Sequence, residues 1–160
     1  MPLSAASLLG AAAIAACSSS TTTVSDGFVG TWQCSDTTSL SFAMPPGSPA
    51  QQESGGGTLT VVDDGGNVFT ATSHTDAGVT CSLRYSVAGN SATLLSGQSC
   101  ATGGLTVTYT SKTLALDANT MTGNASFSFT GTLGAGGSGG APQPQSVSGS
   151  GSTSETCTRM

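Results

Sequence analysis

Val79-Thr80-Cys81-Ser82-Leu83-Arg84-Tyr85-Ser86-Val87 is the stretch that decides the fold. Val79, Cys81, Leu83, Tyr85 and Val87 fall on one side of an extended chain, and Thr80, Ser82, Arg84 and Ser86 on the other. Side chains of a strand alternate with period two, so this pattern specifies a half-buried β-strand and fits no helix. Working outward, the same alternation recurs. Phe28, Gly30, Trp32 and Cys34 share a face, as do Leu40, Phe42 and Met44. Leu59 with Val61, Val68 to Thr72, and Ala92 with Leu94 follow, then Leu105, Val107 and Tyr109, Leu114 with Leu116, and Phe127 with Phe129. Hairpin signals separate them at Asp63-Asp64-Gly65-Gly66-Asn67, Gly89-Asn90 and Asp117-Ala118-Asn119. Segments 45–57 and 134–145, rich in Gly, Pro and Gln, read as surface loops. The spacing predicts about ten short strands in an all-β sandwich or barrel.

Charge decides between an open and a closed sheet. Only 7 % of the chain is charged, which leaves few residues to blunt exposed strand edges. Closure removes edges altogether, so an antiparallel up-and-down barrel of about 8–10 strands is expected. The net charge is −5, and the basic residues are Arg84, Lys112 and Arg159. No basic patch can be assembled from three such scattered cations, which argues against nucleic acid as a partner.

The first apolar run, Leu3 to Ala16, carries no charge and is shorter than the roughly 20 residues a spanning helix needs. It ends in Ile14-Ala15-Ala16-Cys17, followed by Ser18-Ser19-Ser20. This resembles a bacterial lipobox, in which the cysteine receives a diacylglycerol and becomes the mature N-terminus. The resemblance implies a signal peptide helix at 1–16, a polar tether at 17–26 and a single barrel domain at 27–160. It also implies export and anchoring through lipid on Cys17, with the serine after it similar to an outer-membrane sorting signal. Two or more acyl chains suffice for stable anchoring, so the membrane becomes a partner without being spanned.

With Cys17 lipidated, four cysteines remain to pair in an oxidising compartment, and three connectivities are open. Barrel topology favours Cys34–Cys157, because in an even-stranded up-and-down barrel the first and last strands are antiparallel neighbours. It leaves Cys81–Cys100 on either side of the Gly89-Asn90 hairpin. A two-residue loop there pairs Val87 with Ala92 and Tyr85 with Leu94, and sets Cys81 opposite Gln98. Cys100 is then a diagonal neighbour, so the bridge requires an irregularity near Ser99.

Gly30-Thr31-Trp32 resembles the G-x-W motif that opens lipocalins and other calycins. The resemblance implies a calycin-like barrel in which an arginine near the end packs over the tryptophan. If Cys34 faces Cys157, the residue two before the first faces the residue two after the second. Trp32 and Arg159 would then form a cation–π pair at the closure.

Residues that could carry chemistry are few. His74 is the one histidine, which rules out a multi-imidazole zinc site. His74-Thr75-Asp76 reads as a polar loop end. Gly136-Gly137-Ser138-Gly139-Gly140 and the G-x-G-x-x-G from Gly134 to Gly139 lack the strand and helix that a nucleophile elbow or phosphate cradle requires. Asp63 and Asp64 fit a turn better than a calcium site. The reading assigns no catalytic residue, metal or cofactor. Trp32, Leu83, Tyr85, Tyr109, Phe127 and Phe129 face one side of the sheet, either as core or as the lining of an apolar ligand site. The leading expectation is a non-enzymatic envelope lipoprotein, structural or interacting with an envelope protein. The alternative is a calycin-like binder of a small apolar ligand. Labelling with a radioactive fatty acid checks the anchor: the full chain takes up label and Cys17→Ala does not, whereas a labelled Cys17→Ala chain contradicts the assignment.

Overall fold

The computed structural model describes residues 24–43, 50–133 and 145–160. The lipobox, the segment before it and most of the two Gly/Pro-rich connections lie outside the described residues. Nine strands run in chain order: β1 (Gly30–Phe42), β2 (Gln51–Gly65), β3 (Val68–Thr75), β4 (Thr80–Ala88), β5 (Ser91–Leu94), β6 (Ser99–Thr102), β7 (Leu105–Asp117), β8 (Thr120–Leu133) and β9 (Gln145–Arg159). Every pairing is antiparallel. β9 pairs with β1, and β5 pairs with both β4 and β7, so the sheet closes on itself. β5 and β6 both lie along β7, opposite its C-terminal and N-terminal halves respectively. They act as one interrupted strand, and the result is an eight-stranded up-and-down barrel of calycin-like form.

Two pairs of short runs turn out to be single long strands. Gly30–Cys34 and Leu40–Phe42 are joined in β1, which Phe28 precedes, because the residues between them, Asp36 and Thr38, also face inward but are polar. Leu105–Tyr109 and Leu114–Leu116 both belong to β7, where the register shifts between Tyr109 and Ser111. The extra residue moves the inward set from odd to even numbers, and places Lys112 inside with Leu114 and Leu116.

The supposed loop 45–57 is corrected over its second half, because β2 begins at Gln51 and pairs with Leu40. β9 likewise begins at Gln145, the last residue of the other supposed loop, and runs through Ser, Gly and Thr to Arg159. Neither segment carries the apolar alternation that marks a strand. β9 is held between β8 and β1, and the start of β2, from Gln51 to Gly56, is held along β1, whose register leaves backbone groups to be satisfied.

Both disulfides have the expected connectivity. Cys34 and Cys157 are directly opposite on β1 and β9, with Cα atoms 4.0 Å apart. Cys81 on β4 bridges to Cys100 on β6. The required irregularity is the gap between β5 and β6. There the Gln98 side chain stands in for a strand: its Oε1 accepts from the Arg84 N–H at 2.7 Å, and its Nε2 donates to the Arg84 carbonyl at 2.8 Å.

One end of the barrel is packed solid. Val24–Gly27 forms a 3-10 turn, and Phe28 then enters the core with no exposure. Phe28 stacks on Phe69 at 5.3 Å, and Phe69 on Tyr85 at 5.1 Å. Trp32 Nε1 donates to the Phe28 carbonyl at 2.9 Å. The register sets Trp32 opposite Arg159, whose guanidinium lies 4.4 Å from the indole centroid. Arg159 also donates to the carbonyls of Val29 and Gly27, which fixes the chain that crosses this end.

The β1–β9 bridge closes 123 residues of chain, for which loop-closure entropy gives about 4–5 kcal/mol. The double substitution Cys34→Ala/Cys157→Ala is expected to lower urea-unfolding stability by that order and to raise the m-value, because the unfolded chain without the bridge exposes more surface. A loss below about 1 kcal/mol contradicts the view that this seam fastens the barrel.

Candidate functional site

The half of the barrel away from Trp32 is hollow. A cavity of about 530 Å³ lies among β1, β2, β7, β8 and β9. Leu40 and Phe42 of β1, Leu105 and Val107 of β7, and Phe127 and Phe129 of β8 supply its apolar lining. Tyr109 packs edge-to-face with Phe127 at 6.0 Å, and Phe42 with Phe129 at 5.4 Å.

Strand β9 explains why this half does not fill. Its inward positions opposite Phe127 and Phe129 are Gly151 and Gly149. A Cβ on Gly151 would sit 2.5 Å from the Phe127 Cζ, and one on Gly149 2.5 Å from the Phe129 Cζ. The rings therefore lie across the glycines of the neighbouring strand instead of meeting a side chain. One wall of the barrel is bare backbone covered by aromatic rings, and space remains in front of them.

Below the rings is a charged layer. Lys112 Nζ is 2.9 Å from Glu155 Oε1, with side chains only 12 % and 13 % exposed. Oε1 has no other hydrogen-bond partner among the described residues. Burial by itself would weaken the ammonium's hold on its proton. The Glu155 charge, with smaller contributions from Tyr85 and Tyr109, outweighs this and raises the Lys112 pKa above the ordinary lysine value. Burial is also the main cause that pushes the Tyr85 phenol up to about 12, and it raises Tyr109 as well. Asp36 sits directly across the β1–β9 seam from Glu155. Thr38 Oγ1 donates to Asp36 Oδ2 at 3.3 Å and shares a 2.7 Å hydroxyl contact with Thr153. Asp36, Thr38, Thr153, Lys112 and Glu155 all line the cavity, and Glu53 lines it from an exposed position on β2.

The six aromatic and aliphatic residues singled out from sequence separate into two groups. Trp32, Leu83 and Tyr85 are 0 %, 4 % and 1 % exposed and belong to the packed end. Tyr109, Phe127 and Phe129 border the cavity. The polar layer was not anticipated. Lys112 was hidden by the bulge that changes the parity of β7, and Glu155 by a strand without apolar neighbours. Its even spacing from Cys157 was the available signal, since residues two apart share a face.

The remaining polar candidates are structural in their contacts. His74 borders the cavity, but its Nδ1 lies 3.1 Å from Thr80 Oγ1 and the residue is exposed. Asp64 accepts from Thr70 at 2.8 Å and from Arg84 Nε at 3.1 Å; these contacts, Thr70 foremost, hold its carboxyl below the usual range. No group of three or more His, Cys, Asp or Glu placed to hold a metal occurs among the described residues. The Gly-rich segment with the G-x-S-x-G and G-x-G-x-x-G matches lies outside the described residues.

No protein-family model matches the chain, and no curated protein matches it. A solved structure described as "EF1p2_mFAP2b bound to DFHBI" is similar with 9 % identity and a TM-score of 0.48, covering 86 % of this chain and 98 % of that one. The barrel assignment rests on the strand pairings themselves.

The raised phenols make the fold sensitive to alkali. An unfolded tyrosine releases its proton near 10, whereas folded Tyr85 holds it to about 12. Between these values the unfolded chain binds fewer protons, so stability falls as pH rises through the window. Absorbance at 295 nm is expected to show Tyr85 ionising only together with loss of the barrel's circular dichroism. Reversible ionisation of both tyrosines near pH 10 in an intact barrel contradicts this burial.

Proposed function

We propose that the protein is a non-enzymatic binding barrel that holds a small, largely apolar molecule in the cavity bordered by Tyr109, Phe127 and Phe129. The observation that carries the reading is a hollow of about 530 Å³ in a barrel whose other end is packed without exposure at Phe28, Trp32 and Phe69. That volume falls within the roughly 300–1,000 Å³ of small-molecule sites, and its apolar walls with a few polar groups have their usual chemistry. A barrel serving only as an envelope scaffold or docking partner has no need of such a space. Its inward rings could interdigitate across the axis as Phe28, Phe69 and Tyr85 do at the other end.

The same reading includes export and anchoring through lipid on Cys17, supported by the lipobox resemblance and by two disulfides suited to an oxidising compartment. A non-enzymatic role is supported by the contacts of the titratable groups. Lys112 and Glu155 neutralise one another, and the chain's single imidazole bonds to a threonine.

The neutral fluorophore N-phenyl-1-naphthylamine tests the cavity. The protein is expected to bind it with a blue shift and enhanced emission. Val107→Trp, which fills the hollow from a half-buried lining position, is expected to weaken binding at least tenfold with circular dichroism unchanged. Equal binding by the two proteins, or no enhancement up to the dye's solubility, overturns the proposal.

A further inference from the structure

The charges around the cavity do not balance. Asp36, Glu53 and Glu155 line it, against Lys112 as the one ammonium. Asp36 and Glu155 are directly opposed on β1 and β9. Like charges in a cross-strand pair destabilise a sheet, and here the pair faces a partly desolvated interior. Glu155 is neutralised by Lys112 at 2.9 Å, whereas Asp36 accepts a hydroxyl hydrogen bond from Thr38 and pairs with no cation among the described residues.

The chain has no other lysine or arginine left to correct this. Its basic residues are Arg84, Lys112 and Arg159. Arg84 pairs with Asp64 at 3.1 Å on the outer face, and Arg159 lies over Trp32 at the packed end. Segments 1–23, 44–49 and 134–144 contain no charged side chain, so the connections that follow β1 and β8 bring none. The cavity therefore keeps a formal surplus of two negative charges, from three carboxylates and one ammonium. The lining also presents aromatic rings, among them Phe42, Tyr109, Phe127 and Phe129, whose faces attract cations. A metal ion fits poorly, because no cluster of three ligating side chains occurs among the described residues.

We propose that the ligand of this cavity is an organic cation: an apolar or aromatic body bearing one protonated amine or quaternary ammonium. The body occupies the space before Phe127 and Phe129, and the cationic centre lies toward Asp36 and Glu53. An anionic ligand would add to the existing surplus, and a neutral one would leave Asp36 opposite Glu155 uncompensated. The net charge of −5 favours the approach of a cation to the whole molecule. This inference rests on the cavity being a binding site, and the test separates the two claims.

Isothermal titration of the intact protein at low salt compares phenyltrimethylammonium with its neutral isostere tert-butylbenzene. The cation is expected to bind at least tenfold more tightly. Asp36→Asn and Glu53→Gln, which leave the Lys112–Glu155 pair in place, are each expected to weaken the cation about threefold to tenfold and the neutral compound less than twofold. If the neutral compound binds as tightly as the cation, or neither variant changes the preference, the cation assignment falls while the binding cavity stands. If neither compound binds, both fall.

Discussion

The constraint on which this barrel depends is the character of its closing strand. β9 must complete the ring between β8 and β1, yet its inward positions from Gly149 to Arg159 are glycine, threonine, glutamate, cysteine and arginine. A strand that brings so little apolar surface cannot hold the seam by hydrophobic burial. The seam is held by backbone pairing along its length, by the Cys34–Cys157 bond and by Arg159 stacked on Trp32. The same poverty creates the cavity. Phe127 and Phe129 lie over glycines where a branched side chain would have met them, and the barrel axis is left open in front of the rings.

The interior is thereby divided. From Trp32 to Tyr85 it is a stack of rings and aliphatic side chains with almost no exposure. Beyond the Lys112–Glu155 pair it is hollow, with a mainly apolar lining that includes a few charged groups. A buried ion pair is seldom a source of stability, because desolvation offsets the attraction, whereas removal of one partner is costly. Its position between the solid and hollow halves instead gives the cavity a fixed polar floor. Conflicts between local rules and global structure concentrate at functional sites, and the opposed carboxylates of Asp36 and Glu155 are such a conflict.

Much of the fold was legible because alternation is a strong signal where apolar residues are present. The run from Val79 to Val87, the three hairpin turns and the parity of Leu105 to Tyr109 all lie where the sequence placed them. Cys34 and Cys157 could be paired by the closure argument alone. The second half of the 45–57 segment and most of β9 were illegible for one reason: Gln, Gly, Ser and Thr carry no facing preference of their own, and take their register from the strands they pair with. The site was half legible. Its rings were visible as inward aromatics, but nothing in their spacing told Tyr85, in the solid half, from Tyr109, in the hollow one. Tyr109 borders the hollow beside Phe127, whose ring lies over Gly151 of the neighbouring strand, and that strand is the least legible of all.

The division of the interior is the central claim, and paramagnetic broadening in aromatic and methyl NMR spectra tests it directly. A small neutral nitroxide added to the protein should broaden Leu105, Val107, Phe127 and Phe129 while Val61, Phe69, Leu83 and Leu114 stay sharp. Equal broadening at both ends, or none at the Phe127 side, would contradict a barrel that is solid on one side of its ion pair and hollow on the other.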